Sequence, residues 1–166
     1  MKTRILCGSL ISALLFSSSA GAQAPPVVPP EDASAIQALV SGYARALGEC
    51  RAEEFADLFA PGTGYFASGI RGQIVGREKL IALVQSERHC TAPAPAGSAP
   101  APRPGGNNGP TVALDVTPAG VRGIADLGGA GQYQDEYVKT ANGWRFKSRT
   151  EFRSGSSPAQ AARASR

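Results

Sequence analysis

GQYQDEYVKTANGWRFKSRTEF, residues Gly131 to Phe152, reads as two strands, Gln132 to Thr140 and Trp144 to Arg153, joined at Ala141-Asn142-Gly143. Asn-Gly is the strongest short-range hairpin signal, because a type I′ turn needs positive φ at both central residues. A two-residue loop there pairs Ala141 with Trp144, and the register follows by counting. Glu136 then falls opposite Arg149, Val138 opposite Lys147 and Gln134 opposite Glu151. On the other face Tyr137 meets Ser148, Asp135 meets Thr150 and Tyr133 meets Phe152. A four-residue loop moves these pairs by two and keeps both faces; only an odd loop scrambles them.

The first face is charged and reads as solvent, with Glu136 and Arg149 paired on it. The second carries Tyr133, Asp135, Tyr137, Trp144, Phe146, Ser148, Thr150 and Phe152. Asp, Ser and Thr among so many aromatics do not make an ordinary core face, because burying an unpartnered carboxylate is costly. Two readings resolve the conflict. In one, the face lines a hydrated small-molecule cavity with a few convergent polar groups. In the other, Asp135 is structural, hydrogen-bonded to Thr150, Tyr133 or a helix residue.

Upstream, Val112, Leu114 and Val116 alternate with polar or small residues, the period of a strand with one buried face. Val121 to Leu127 follows the Pro118-Ala119-Gly120 turn. The segment before them, TAPAPAGSAPAPRPGGNNGP (residues 91–110), holds six prolines and one charge. It buries too little apolar surface to fold and is expected to be a disordered insertion. Residues 154–166 are expected to be a disordered tail.

The N-terminal half is helical. Ile36, Leu39, Val40, Tyr43 and Leu47 make one apolar stripe behind an Asp32 or Ser34 cap, and Gly48 ends it. Phe55, Leu58 and Phe59 mark a shorter helix stopped by Pro61-Gly62, and Leu80, Leu83 and Val84 a third from about Arg77 to Arg88. Short strands are expected at Thr63 to Ser68 and Gln73 to Val75. Helices first and antiparallel strands after predict an α+β fold, three helices packed on a curved antiparallel sheet.

Residues 1–22 carry Lys2 and Arg4, an apolar run from Ile5 to Phe16, and an Ala20-Gly21-Ala22 cleavage signal. This pattern predicts a signal peptide, hence a periplasmic or secreted protein. The apolar run is shorter than the roughly 20 residues of a membrane-spanning helix. Residues 23–32, rich in proline, read as an extended leader before one domain at 33–153.

Two of the 17 basic residues leave with the signal, so the formal charge falls from +4 to +2. No basic stripe of the nucleic-acid-binding kind is present, and no membrane partner is expected after cleavage. Cleavage also removes Cys7. Cys50 and Cys90 remain in an oxidising compartment, where a disulfide between them is expected over a free pair or a nucleophilic cysteine.

The order of elements and the Gly131–Phe152 stretch resemble the end of a SnoaL-like domain of the nuclear transport factor 2-like superfamily. AIQALVSGYARALGECRAEEFADLFAP (Ala35 to Pro61) and GREKLIALV (Gly76 to Val84) are similar to the same family. The resemblance implies a cone-shaped pocket enclosed between curved sheet and helices. It also implies a small apolar or aromatic ligand, with lyase or isomerase chemistry in the enzymes of the family. Those enzymes move a proton beside a carbonyl with a carboxylate or His while donors steady the oxyanion.

Two features depart from the family pattern. Gly62 stands where an acid commonly follows the second helix, in Phe59-Ala60-Pro61-Gly62, and His89 is the single histidine. The candidate catalytic residues are therefore Asp135 and His89, with Tyr43, Tyr133 and Tyr137 as donors. Trp144, Phe146, Ser148 and Thr150 complete the candidate ligand-binding set. His89 has a competing reading as a cation at a helix C-terminus. Asp57 reads as exposed, and Asp126 is open to either face. No metal cluster or cofactor motif is visible, so none is expected. A non-catalytic binding module, dimerising through the outer sheet face, is the alternative to an enzyme.

Overall fold

The structure, a computed structural model, describes residues 26–91, 109–128 and 131–152. The expected signal peptide, residues 23–25 of the leader, the core of the Pro/Ala insertion and the tail lie outside them.

The described residues hold four helices, all before the last four strands: α1 (Pro30–Gly48), α2 (Ala52–Asp57), α3 (Arg77–Gln85) and the short α4 (Arg88–Thr91). The third expected helix is thus split in two at Ser86-Glu87, making four helices rather than three. The Ser86 hydroxyl donates to Leu83 O at 2.7 Å, a local bond that competes with helix continuation. Helix α1 starts earlier than expected, at Pro30. Proline suits the first helical turn, whose N–H groups have no intrahelical acceptor. Asp32 is then inside the helix, and its carboxylate accepts from Trp144 Nε1 and Lys139 Nζ, each at 2.8 Å. That clamp ties the start of α1 to the hairpin, and the two donors hold the Asp32 carboxyl below its ordinary range.

Helix α1 runs through Gly48 and closes one residue further on. Arg51 N bonds Ala46 O at 2.8 Å and Cys50 N bonds Leu47 O at 3.3 Å. This is the paired-bond ending in which a glycine usually takes the left-handed position. Here Cys50 takes it, at φ 58°. The expected Cys50–Cys90 disulfide is formed, with Cα atoms 5.5 Å apart, and it fastens α4 to the end of α1.

Six strands form one sheet: β1 (Tyr65–Ser68), β2 (Gly72–Val75), β3 (Thr111–Thr117), β4 (Gly120–Asp126), β5 (Gln132–Thr140) and β6 (Gly143–Phe152). Their order is β2-β1-β6-β5-β4-β3. The sheet is mixed rather than wholly antiparallel, because β1 runs parallel to β6, Phe66 beside Arg149. The connection passes under the hairpin at Gly64. A Cβ there would stand 2.5 Å from Ala60 N and 2.8 Å from Phe146 O, so only glycine permits the approach.

The apolar stripes meet on the concave face. Ile36, Leu39, Val40 and Tyr43 of α1 pack with Phe55, Phe59, Leu80, Val84 and the inward residues of the sheet. Leu47, expected on the stripe, packs at its edge. No helix among the described residues is long and apolar enough to cross a membrane.

Candidate functional site

The hairpin register differs from the counted one at two places, and both have physical causes. Thr140 pairs with Gly143, so Ala141-Asn142 forms the loop. The Thr140 hydroxyl accepts from Asn142 N and donates to Gly143 O, holding the turn one residue upstream. Only Gly143 takes positive φ, at 93°. A shift of two residues in the pairing sum keeps the faces, so Tyr137 and Phe146 meet inside as a directly opposed pair.

The second difference changes the site. Between Glu136 and Tyr137 the register slips by one, because Lys147 is an extra residue on β6. A bulge of this kind reverses the faces beyond it. Asp135 therefore opposes Arg149, and Glu136 opposes Ser148. Ser148 and Thr150, expected to line the inner face, share the register of Glu136 and Gln134 instead. Phe152, opposite Gln132, is buried but outside the central cluster. The expected Glu136–Arg149 pair does not form; Glu136 takes Arg122 at 2.9 Å and Lys147 at 3.2 Å on the outer face.

Arg149 comes inside. Its guanidinium lies over the rings of Tyr43 (3.9 Å), Tyr133 (4.3 Å) and Phe146 (4.6 Å), one from α1 and two from the hairpin. Arg149 Nε stands 3.3 Å from Asp135 Oδ1, and both side chains are 0% exposed. The other carboxylate oxygen, Oδ2, accepts from the Tyr137 hydroxyl at 2.9 Å. Asp135 Oδ1 and all three guanidinium nitrogens make no hydrogen bond. The contact is thus one of charges, without an aligned donor.

Two influences oppose each other on Asp135. Removal from water raises its pKa, whereas the Arg149 charge and the Tyr137 hydrogen bond lower it. Burial prevails, and the carboxyl is pushed up to about 6. The direction is what the geometry implies: complete desolvation set against an off-axis cation. Burial also lifts Tyr133 to about 12 and raises Tyr43 and Tyr137 above the usual phenol range. The Tyr43 and Tyr133 rings meet edge to face, with centroids 5.7 Å apart.

Among the candidate residues, Tyr43, Tyr133, Asp135, Tyr137 and Phe146 converge here. Trp144 sits at the end of the same face, occupied by Asp32. His89 does not join them. It is exposed on α4, where Nε2 donates to Leu47 O at 2.9 Å, at the C-terminus of α1. The ligand atoms of Cys50, His89 and Cys90 lie within 4.8 Å of one another, but the sulfurs are bonded to each other and offer no thiolate. Asp57 is exposed and pairs with Arg77. Asp126 accepts from Gly128 N and from Gln132 Nε2 at the end of β4.

Where a hydrated cavity was expected, Asp135 and Arg149 are both fully buried. A groove of about 570 Å³ lies elsewhere, between α2, α3 and the hairpin loop, lined by Phe59, Leu80, Arg77 and Arg145 among others. Asp135, Arg149 and the three tyrosines do not line it. Arg149 was missed because Phe146-Lys147-Ser148-Arg149 contains no glycine or proline to announce a bulge. The available signal was the surplus of polar residues on the counted inner face.

The family model for the SnoaL-like domain matches residues 30–98. Among solved structures, a nuclear transport factor 2-like protein with a cystatin-like fold from Novosphingobium aromaticivorans is 16% identical. That match covers 82% of this chain and 90% of that one, with a TM-score of 0.55. A protein from Catenulispora acidiphila is 24% identical over 70% of this chain and 86% of its own, with a TM-score of 0.51. No curated protein matches the chain. Residues 30–98 are thus similar to the SnoaL-like domain, and the chain shares its fold and order of elements with the nuclear transport factor 2-like structure.

Proposed function

We propose that this is an exported protein that admits a small aromatic or apolar molecule to the interior of its cone, at Asp135. The carboxyl takes and returns a proton on the ligand in cofactor-independent lyase or isomerase chemistry. The observation that carries this reading is a fully buried carboxyl held at about 6, with one oxygen on a tyrosine hydroxyl and the other free of hydrogen bonds. A general base for neutral pH needs that poise. Tyr137 supplies a donor beside it. Tyr43 and Tyr133, whose hydroxyls stay protonated across the physiological range, supply others. The disulfide supports an oxidising compartment.

The test is thermal stabilisation of the full chain by aromatic and polyketide-like compounds, followed by solvent-deuterium exchange next to the carbonyl of any that bind. Exchange that Asp135→Asn abolishes, with binding retained, is the expected result. If no compound stabilises the protein, the ligand reading fails.

A second reading has its own observation. Asp135 and Arg149 are both without solvent contact, as a structural pair in a non-catalytic binding or dimerisation module would be. Stabilisation by ligand without any exchange favours that module.

A further inference from the structure

The Arg149 guanidinium carries five N–H donors in a fixed plane. Its nitrogens are buried and none has a hydrogen-bond partner. The rings of Tyr43, Tyr133 and Phe146 surround it at 3.9–4.6 Å and offset part of its charge. Ring faces do not satisfy donors that lie in the guanidinium plane. Native proteins rarely leave such groups orphaned, and each instance points to a partner that completes the site. Two coplanar oxygens bearing one negative charge complement the fork. A neutral aromatic ring does not.

We propose that Arg149 recognises the carboxylate of a small-molecule ligand, which replaces Asp135 as the counterion of the guanidinium inside the cone. The proposal rests on the reading that a ligand reaches the interior, and it names the class of that ligand. The aromatic shell must open to admit it, since Arg149 has no solvent contact.

Charge dictates the consequence. With Asp135 ionised, the pair is neutral. A second anion in the same dry space leaves a net negative charge there unless a proton is bound with it. Asp135 is placed to take that proton, because Oδ1 has no hydrogen-bond partner while Oδ2 is held by Tyr137. An O–H bond forms on Asp135, the proton comes from solvent, and the ligand carboxylate assumes the negative charge. The other titratable groups facing the site are Tyr43 from α1, Tyr133 and Tyr137 from β5, and Glu151, which acts on Tyr133 from β6. The tyrosines stay protonated throughout the range, and Glu151 is exposed. Asp135 therefore accounts for the uptake, and in the complex it starts as the acid of the proposed proton exchange and becomes the base once it has given that proton up.

Benzoate, with benzamide as its neutral counterpart, tests this on the full, oxidised chain. Calorimetry in buffers of different ionisation enthalpy measures the protons bound. The expected result is benzoate binding with uptake approaching one proton at pH 8. Affinity should weaken towards tenfold per pH unit above pH 7, and benzamide should not bind. Asp135→Asn should bind benzoate without proton uptake and with a flat pH profile. If that variant does not fold, the uptake measured on the native chain decides the question. Benzoate binding without proton uptake overturns the proposal. Binding of benzamide or other neutral aromatics as tight as that of benzoate also overturns it, while leaving the ligand reading intact. If neither anions nor neutral aromatics bind, both fail together.

Discussion

Removing Arg149 should destabilise the fold far more with the Asp135 carboxyl in place than without it. At 3.3 Å and an effective dielectric constant near 20, the attraction between the two charges is about 5 kcal/mol. Desolvation consumes much of it, so the intact pair is worth little over apolar residues of like volume. Breaking it is another matter. Arg149→Met leaves the Asp135 carboxyl buried with no cation beside it, whereas Asp135→Asn removes an anion that burial already disfavours. Arg149→Met should cost about 3–5 kcal/mol at pH 7.5, and Asp135→Asn close to nothing. In the Asp135→Asn background Arg149→Met should cost less, by about 2–3 kcal/mol. Urea unfolding of the four proteins at one ionic strength gives the coupling directly. A coupling below about 0.5 kcal/mol, the ordinary additivity error, would mean that the two charges do not meet. It would place Arg149 on the outer face with Glu136, as the unbulged register has it.

Stability should also depend on pH through Asp135. Its carboxyl is lifted from 3.8 to about 6 in the folded state, which corresponds to about 3 kcal/mol. Because the folded value is the higher one, that stability is present in full below pH 3.8 and is lost as pH rises through about 6. Relative to Asp135→Asn, the native chain should therefore weaken between pH 4 and 7 in urea titrations; parallel curves would count against it. Tyr137→Phe should move the Asp135 midpoint further up and cost about 1.5–3 kcal/mol, the range for a hydrogen bond to a charged group. Cys90→Ala should lose about 4 kcal/mol of loop-closure stabilisation under oxidising conditions and nothing under reducing ones. In that background Cys50→Gly should be more stable than Cys50→Ala by about 1 kcal/mol, because only glycine takes φ 58° without a steric penalty.

Periodicity made much of this fold legible. The stripe from Ile36 to Tyr43 and the alternation from Tyr133 to Tyr137 each point one set of side chains at a common core, and the structure keeps both. The disulfide was legible too, from compartment and count. What failed has one cause: strand pairing is settled by local events that leave weak traces in sequence. Thr140 used its hydroxyl to move the turn, and Lys147 was accommodated as a bulge. Neither residue type advertises that behaviour. Because strand faces alternate with period two, one extra residue exchanged Ser148 and Thr150 for Arg149 on the concave face. The candidate base was readable from its neighbours; its cation was not. The same exchange put a guanidinium among three rings, in a place where two small hydroxyl side chains were expected.

Carbon-13 NMR of the full chain through a pH titration reads the protonation of the Asp135 carboxyl. Asp135 is assigned by comparison with Asp135→Asn. The expected midpoint is near 6, with the Tyr137 hydroxyl proton responding over the same range. A midpoint at or below the ordinary aspartate value of 3.8 would contradict it. That outcome would mean Asp135 is either solvated or fully compensated, and not poised to exchange a proton near neutral pH.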